Sequence, residues 1–163
     1  MSPRQLVLVR HAKTGDGAVD FDRSLTDRGE RDALAIGQWL RRRGTTPDHV
    51  VVSPARRTRQ TWERASLALP AVGPATFDAR IYDNTVGALT AVLRETPPDA
   101  EVVVLVGHNP SITLTARSID DGGGTELDDG FSTSSVAVFA LSVPFSDLAP
   151  GTATLVDFTT ARG

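Results

Sequence analysis

Apolar residues in this chain gather into short unbroken runs rather than alternating with polar ones. QLVLV at 5–9, HVVV at 49–52 and VVVLV at 102–106 are all rich in β-branched side chains. Runs of this length predict strands buried on both faces, as in a sheet covered on each side by helices. Between the runs the spacing turns helical. Ala33, Ile36, Gly37 and Leu40 share one face of a segment from about 27 to 43, with Thr26 placed to cap its start and Gly44 to end it. Thr58, Trp62, Ala65 and Leu69 share a face of a second helix, stopped by Pro70. A third helix starts at Asn84 or Thr85, runs through Val86, Leu89 and Leu93, and closes at Thr96-Pro97-Pro98. The fourth is capped by Asn109, carries Pro110 at its first position and turns Ile112, Ala116 and Ile119 inward.

Strand alternating with helix predicts an α/β fold: a three-layer sandwich with a central, mostly parallel sheet and helices on both faces. Residues 120–134 read as an exposed, acidic, glycine-rich loop without calcium-loop spacing. After it, 135–143 and 152–158 predict two more strands near a sheet edge, joined by the turn-rich PFSDLAPG. The 163 residues suit one domain, 1–163, with a sizeable core.

Composition narrows the function. A net charge of −3 argues against general binding to nucleic acid or membrane surfaces, which calls for a basic face. The chain contains no cysteine, so disulfides and thiolate metal sites are excluded. No run is long enough to span a bilayer, and the first apolar run is too short for a signal peptide. The expected location is cytoplasmic.

In open α/β sheets, chemistry collects beyond the carboxyl ends of the strands. Arg10 and His11 follow the first run, Ser53-Pro54-Ala55-Arg56-Arg57-Thr58-Arg59-Gln60-Thr61 the second, and Gly107-His108-Asn109-Pro110 the third. Two of the three histidines therefore stand at equivalent strand ends, with arginines at the first and second of the three junctions. Taken singly, such residues are more often caps or surface groups; together on one edge they point to a site. His49 precedes its strand and belongs to the opposite edge. Two histidines could ligate a metal, but no third ligand has suitable spacing and the arginines would repel a cation. No metal and no cofactor is expected. Guanidinium groups instead match phosphate oxygens through paired hydrogen bonds. Nearby arginines also keep an imidazole neutral, leaving His11 a lone pair for attack on phosphorus. Arg10, Arg57 and His108 could then neutralise the transferring phosphoryl group.

Arg10-His11-Ala12, Ser53-Pro-x-x-Arg57-x-x-Gln60-Thr61 and Gly107-His108, in this order and spacing, resemble the histidine phosphatase superfamily, the phosphoglycerate mutase-like group. Small size, Ala12 in place of the usual glycine, RSLTDRG at 23–29 and GHNP look most like its SixA branch of protein-phosphohistidine phosphatases. The resemblance implies His11 as nucleophile, Arg10 and Arg57 as phosphate-binding arginines, and His108 as the second histidine contacting the phosphoryl group. Arg56 and Arg59 are then solvent-facing or guide an anionic substrate, and Thr14 adds a hydroxyl contact. Many relatives also carry a carboxyl group that protonates the leaving oxygen. Asp83, in RIYDN, is the leading candidate here and as readily an exposed turn carboxylate; Asp16, Asp20 and Asp22 come after it.

The expected activity is a metal-independent phosphatase working through phospho-His11, with a phosphorylated protein bearing phosphohistidine as favoured substrate. The alternatives are a phosphatase of small phosphorylated metabolites and a non-catalytic phosphate-binding module. The presence of both histidines weighs against the module, because a pure binder needs no nucleophile. A mutase is disfavoured by the absence of long insertions that cover the pocket in larger relatives.

Overall fold

A computed structural model describes residues 3–163. In chain order the main elements are β1 (Gln5–Arg10), α1 (Asp27–Arg43), β2 (His49–Val52), α2 (Arg56–Ser66), β3 (Thr76–Phe77), α3 (Ala79–Tyr82), α4 (Val86–Arg94), β4 (Val102–Gly107), α5 (Ser111–Ile119), β5 (Ser135–Leu141) and β6 (Ala153–Thr160). The strands form one sheet in the order β3-β2-β4-β1-β5-β6. β1 to β4 are mutually parallel, while β5 runs antiparallel to β1 and β6 antiparallel to β5.

The unbroken apolar runs are accounted for by burial on two sides. Leu6 and Leu8 of β1, with Val103 and Leu105 of β4, pack against Leu89 and Leu93 of α4 and Ile112 and Ala116 of α5. Val7 and Val9, with Val104 and Val106, pack on the other face against Ile36 and Leu40 of α1 and Trp62 and Ala65 of α2. Each buried aliphatic side chain contributes about 1.5–3 kcal/mol, so a strand with no exposed face anchors both layers. This is the expected α/β sandwich.

Several boundaries differ from the sequence expectation. α5 begins at Ser111, with Pro110 in the capping position rather than inside the first turn. Asn109 still serves the helix: its side-chain oxygen accepts from the Thr113 amide (3.3 Å) and hydroxyl (2.7 Å). α2 ends at Ser66, and Leu69 reaches the core from the turn that follows. Residues 120–134 are not simply an exposed loop. Thr125–Asp129 form a 3-10 turn, and Leu127 and Phe131 are buried against the α5 side of the core. Their apolar side chains outweigh the surrounding polarity and pull the segment in. Among the described residues, no helix is long and apolar enough to cross a membrane.

Candidate active site

Parallel pairing brings the carboxyl ends of β1, β2 and β4 to one edge. Arg10 lies in register with Gly107, and the His11 amide continues the ladder by donating to the Gly107 carbonyl (3.1 Å). The Ser53 amide does the same to Val106 (3.1 Å). His11 and His108 therefore leave adjacent strands side by side, with ring centroids 5.5 Å apart.

A cavity of about 470 Å³ opens there, lined by Arg10, His11, Thr14, Arg57 and His108, together with Asp20, Arg23 and Asn84 among others. Arg57 is buried, whereas Arg56 and Arg59 are exposed outside the cavity. Thr14 lines the cavity, and its hydroxyl accepts from Arg23 Nη2. His49 starts β2 at the far edge of the sheet.

The loops are held by the rest of the second motif. Thr61 Oγ1 accepts from the Ala12 amide (3.0 Å) and donates to the Arg57 carbonyl (2.7 Å). Gln60 Oε1 accepts from the Leu25 amide (2.8 Å). One helix thus carries Arg57 and also fixes the backbone next to His11. Arg10 Nη1 donates to the Phe131 carbonyl (2.9 Å), as does Asn109 Nδ2 (2.8 Å).

His11 Nδ1 lies 2.8 Å from the Ala12 carbonyl oxygen. A carbonyl only accepts, so Nδ1 carries the proton and Nε2 keeps the lone pair. Burial pulls the His11 pKa down to about 4; the charges of Arg57, Arg10 and Arg23 add to this, and the Ala12 carbonyl opposes it. The neutrality expected from neighbouring arginines is therefore reached chiefly through desolvation. His108 is held down to about 3, again by burial first and then by Arg57 and His11.

Three buried polar atoms around this cavity lack partners: Arg10 Nε, Arg57 Nε and His108 Nδ1. The two guanidinium nitrogens are pure donors and cationic. A buried donor without a partner is costly, so the cavity is built to receive acceptor oxygens bearing negative charge. Among the described residues, no three histidine or carboxylate side chains are grouped to hold a metal ion.

Asp83 does not reach the cavity. It is exposed just beyond α3, and the next residue, Asn84, turns in instead. Asn84 has a left-handed backbone (φ 63°), donates to the Asn109 carbonyl (2.7 Å) and accepts from the Ser111 amide (3.1 Å). The carboxylate lining the cavity is Asp20, which sequence analysis placed behind Asp83. Arg57 donates to the Asp20 carbonyl oxygen (2.8 Å) and to its carboxylate (3.1 Å), and the Tyr82 hydroxyl donates to the same carboxylate (2.7 Å). The Tyr82 bond above all, together with Arg57, lowers the Asp20 pKa to about 2. Tyr82 packs edge-on against His108 and Phe21. Asp16 and Asp22 are exposed and do not line the cavity. The sequence attached no role to Tyr82 and offered Asn84 only as a possible start of the third helix, whose cap is Thr85; neither carries a motif signal for the cavity.

An α/β sheet whose strand ends surround a cationic cavity with a neutral, lone-pair-bearing histidine suits the handling of phosphoryl groups. Residues 6–95 match the profile of the histidine phosphatase superfamily (branch 1). The chain is 32% identical over 162 residues to the uncharacterized protein Rv1276c of Mycobacterium tuberculosis, spanning 94% of this chain and 100% of the relative. Its fold superposes on the candidate phosphohistidine phosphatase SixA from Nakamurella multipartitia with a TM-score of 0.89, at 33% identity over 99% of this chain and 98% of that one. For the protein histidine phosphatase SixA complexed with tungstate, the TM-score is 0.81 at 25% identity, covering 96% of each chain. The chain belongs to the histidine phosphatase superfamily, and it is a phosphatase.

Proposed function

We propose that residues 1–163 form a single histidine phosphatase domain that hydrolyses phosphohistidine on a protein substrate through a phosphoenzyme on His11. The observation that carries this reading is the meeting of Arg10, Arg57 and His108 around the cavity that His11 lines, with Arg10 Nε, Arg57 Nε and His108 Nδ1 left without protein partners. A phosphoryl group supplies oxygens for all three. His11 Nε2 then attacks phosphorus in line, forming a new N–P bond as the substrate's N–P bond breaks. Arg10, Arg57 and His108 offset the charge on the equatorial oxygens. Water attacks the phosphorylated His11, releasing inorganic phosphate and restoring the neutral imidazole.

The leaving group favours phosphohistidine. Asp20 is ionised throughout the neutral range, so it offers no proton to a departing alkoxide in the free protein. Asp83 stands outside the cavity. A phosphoimidazole that already carries a proton on its other nitrogen departs as neutral imidazole and needs no acid from the enzyme. The similarity to a SixA phosphohistidine phosphatase complexed with tungstate, a tetrahedral oxyanion, agrees with this choice.

The test is a comparison of kcat/KM for a phosphorylated histidine-containing phosphotransfer protein against a panel of sugar phosphates, nucleotides and phosphoserine peptides. The proposal predicts a preference of at least two orders of magnitude for the phosphohistidine protein. Equal or faster turnover of an alkyl phosphate would overturn the substrate assignment.

A further inference from the structure

Ser53 begins the second motif but contacts no space where substrate would sit: it is fully buried and does not line the cavity. Its hydroxyl lies 2.8 Å from His108 Nε2. The same oxygen accepts a long hydrogen bond from the Ala55 amide (3.4 Å).

Counting donors and acceptors fixes the direction of the Ser53–His108 bond. A neutral imidazole has one N–H and one lone pair. If Nε2 carried the proton, it would donate to Ser53 Oγ, which already accepts from Ala55. The serine proton would then be buried with no acceptor among its hydrogen-bonded neighbours. Nδ1 would be left as a bare lone pair, on a residue that lines a cavity suited to anions. If Ser53 donates to Nε2 instead, its hydroxyl is satisfied as both donor and acceptor. The proton is then on Nδ1, the buried atom that has no partner in the free protein.

We infer that Ser53 is a positioning residue that locks His108 in its Nδ1–H tautomer, so that this histidine presents a hydrogen-bond donor to the phosphoryl oxygens. The two histidines then share a tautomer but present opposite ends. His11 has its Nδ1–H tied to the Ala12 carbonyl and keeps Nε2 as a lone pair for attack. His108 has Nε2 tied to Ser53 and keeps Nδ1–H for an oxyanion. The backbone supplies the lock for one ring and a buried side chain supplies it for the other. Protonating His108 would break the same arrangement, since an Nε2–H would displace the serine proton.

The inference rests on His108 meeting the phosphoryl group, but its main test does not require catalysis. Long-range ¹⁵N–¹H correlation spectra of the free protein at pH 7 distinguish protonated from unprotonated ring nitrogens. His108 is expected to show a protonated Nδ1 and an unprotonated, hydrogen-bonded Nε2. In Ser53→Ala the pattern is expected to move toward Nε2–H or a mixture, while His11 keeps its tautomer. Vanadate affinity is expected to fall about ten- to a hundredfold, the loss of one charge-assisted hydrogen bond. Ser53→Thr, which keeps the hydroxyl, is expected to retain the wild-type pattern. A wild-type His108 protonated on Nε2 overturns the inference, and this spectrum decides even if Ser53→Ala fails to fold. A folded Ser53→Ala with unchanged tautomer and vanadate affinity also overturns it. Failure of the wild-type protein to hydrolyse phosphohistidine, with the tautomer pattern as expected, would overturn the proposed function and leave the lock intact.

Discussion

His11 and His108 share a cavity with the buried Arg57 and the half-buried Arg10, and their protonation follows from that setting. Both are held below the ordinary imidazole value of 6.5, His11 to about 4 and His108 to about 3, with burial the leading cause. In the unfolded chain both rings take up protons as the pH falls through 6.5. In the folded protein they stay neutral well below it. Over that interval protons favour the unfolded state, so stability is full above the ordinary value and declines as the pH drops toward 4. An NMR titration of the ring signals is expected to show His11 still neutral at pH 5. The urea midpoint is expected to be lower at pH 5 than at pH 7. A His11 midpoint near 6.5 would show that the ring is not desolvated, and the nucleophile would need another source of neutrality.

Two helix glycines show how the elements reach the site. A Cβ on Gly29 would sit 2.1 Å from the Lys13 carbonyl oxygen, in the loop that follows His11. Only glycine lets the first turn of α1 press on that loop, which explains the glycine in RSLTDRG as a packing requirement. Thr26 caps the same turn through the Gly29 amide (3.0 Å). A Cβ on Gly37 would meet the Ala65 carbonyl oxygen at 1.9 Å, so α1 and α2 touch backbone to backbone there. Gly37→Ala must part these helices and is expected to cost about 1–3 kcal/mol, read from urea denaturation. Since Gly37 lies away from the cavity, KM is expected to change little. A loss below about 0.5 kcal/mol would contradict the close contact. The long elements were legible because each carries a repeating apolar pattern over several turns or a full strand. β3 with two residues and α3 with four are too short to show a period. The turn at Thr125–Asp129 was hidden because one leucine and one phenylalanine anchor an otherwise polar segment.

Across the molecule, the placement of Arg10, His11, Arg57 and His108 follows from one topological fact that the sequence already displays. Strands that run parallel put their carboxyl ends on the same edge, so charged residues after each apolar run converge. What the sequence did not display is the polar scaffold between loops. Asp20 reaches Arg57 across 37 positions and Tyr82 reaches Asp20 across 62, with no motif linking them. Asp83 falls outside the cavity for a local reason. The left-handed turn at Asn84 sends that side chain inward and leaves Asp83 in solvent. Ser53 was legible as part of a motif, but its partner His108 emerges only when β2 and β4 are paired.

A phosphatase that works through covalent phosphorylation of His11 passes through a phosphoenzyme that rapid quenching can trap. The protein is mixed briefly with a ³²P-labelled phosphohistidine phosphotransfer protein, quenched, and mapped by peptide. Label is expected on the peptide containing His11, labile to acid and stable to alkali, and none on His11→Ala. Turnover without any trapped label on the wild type, or label of the same size on His11→Ala, would contradict it.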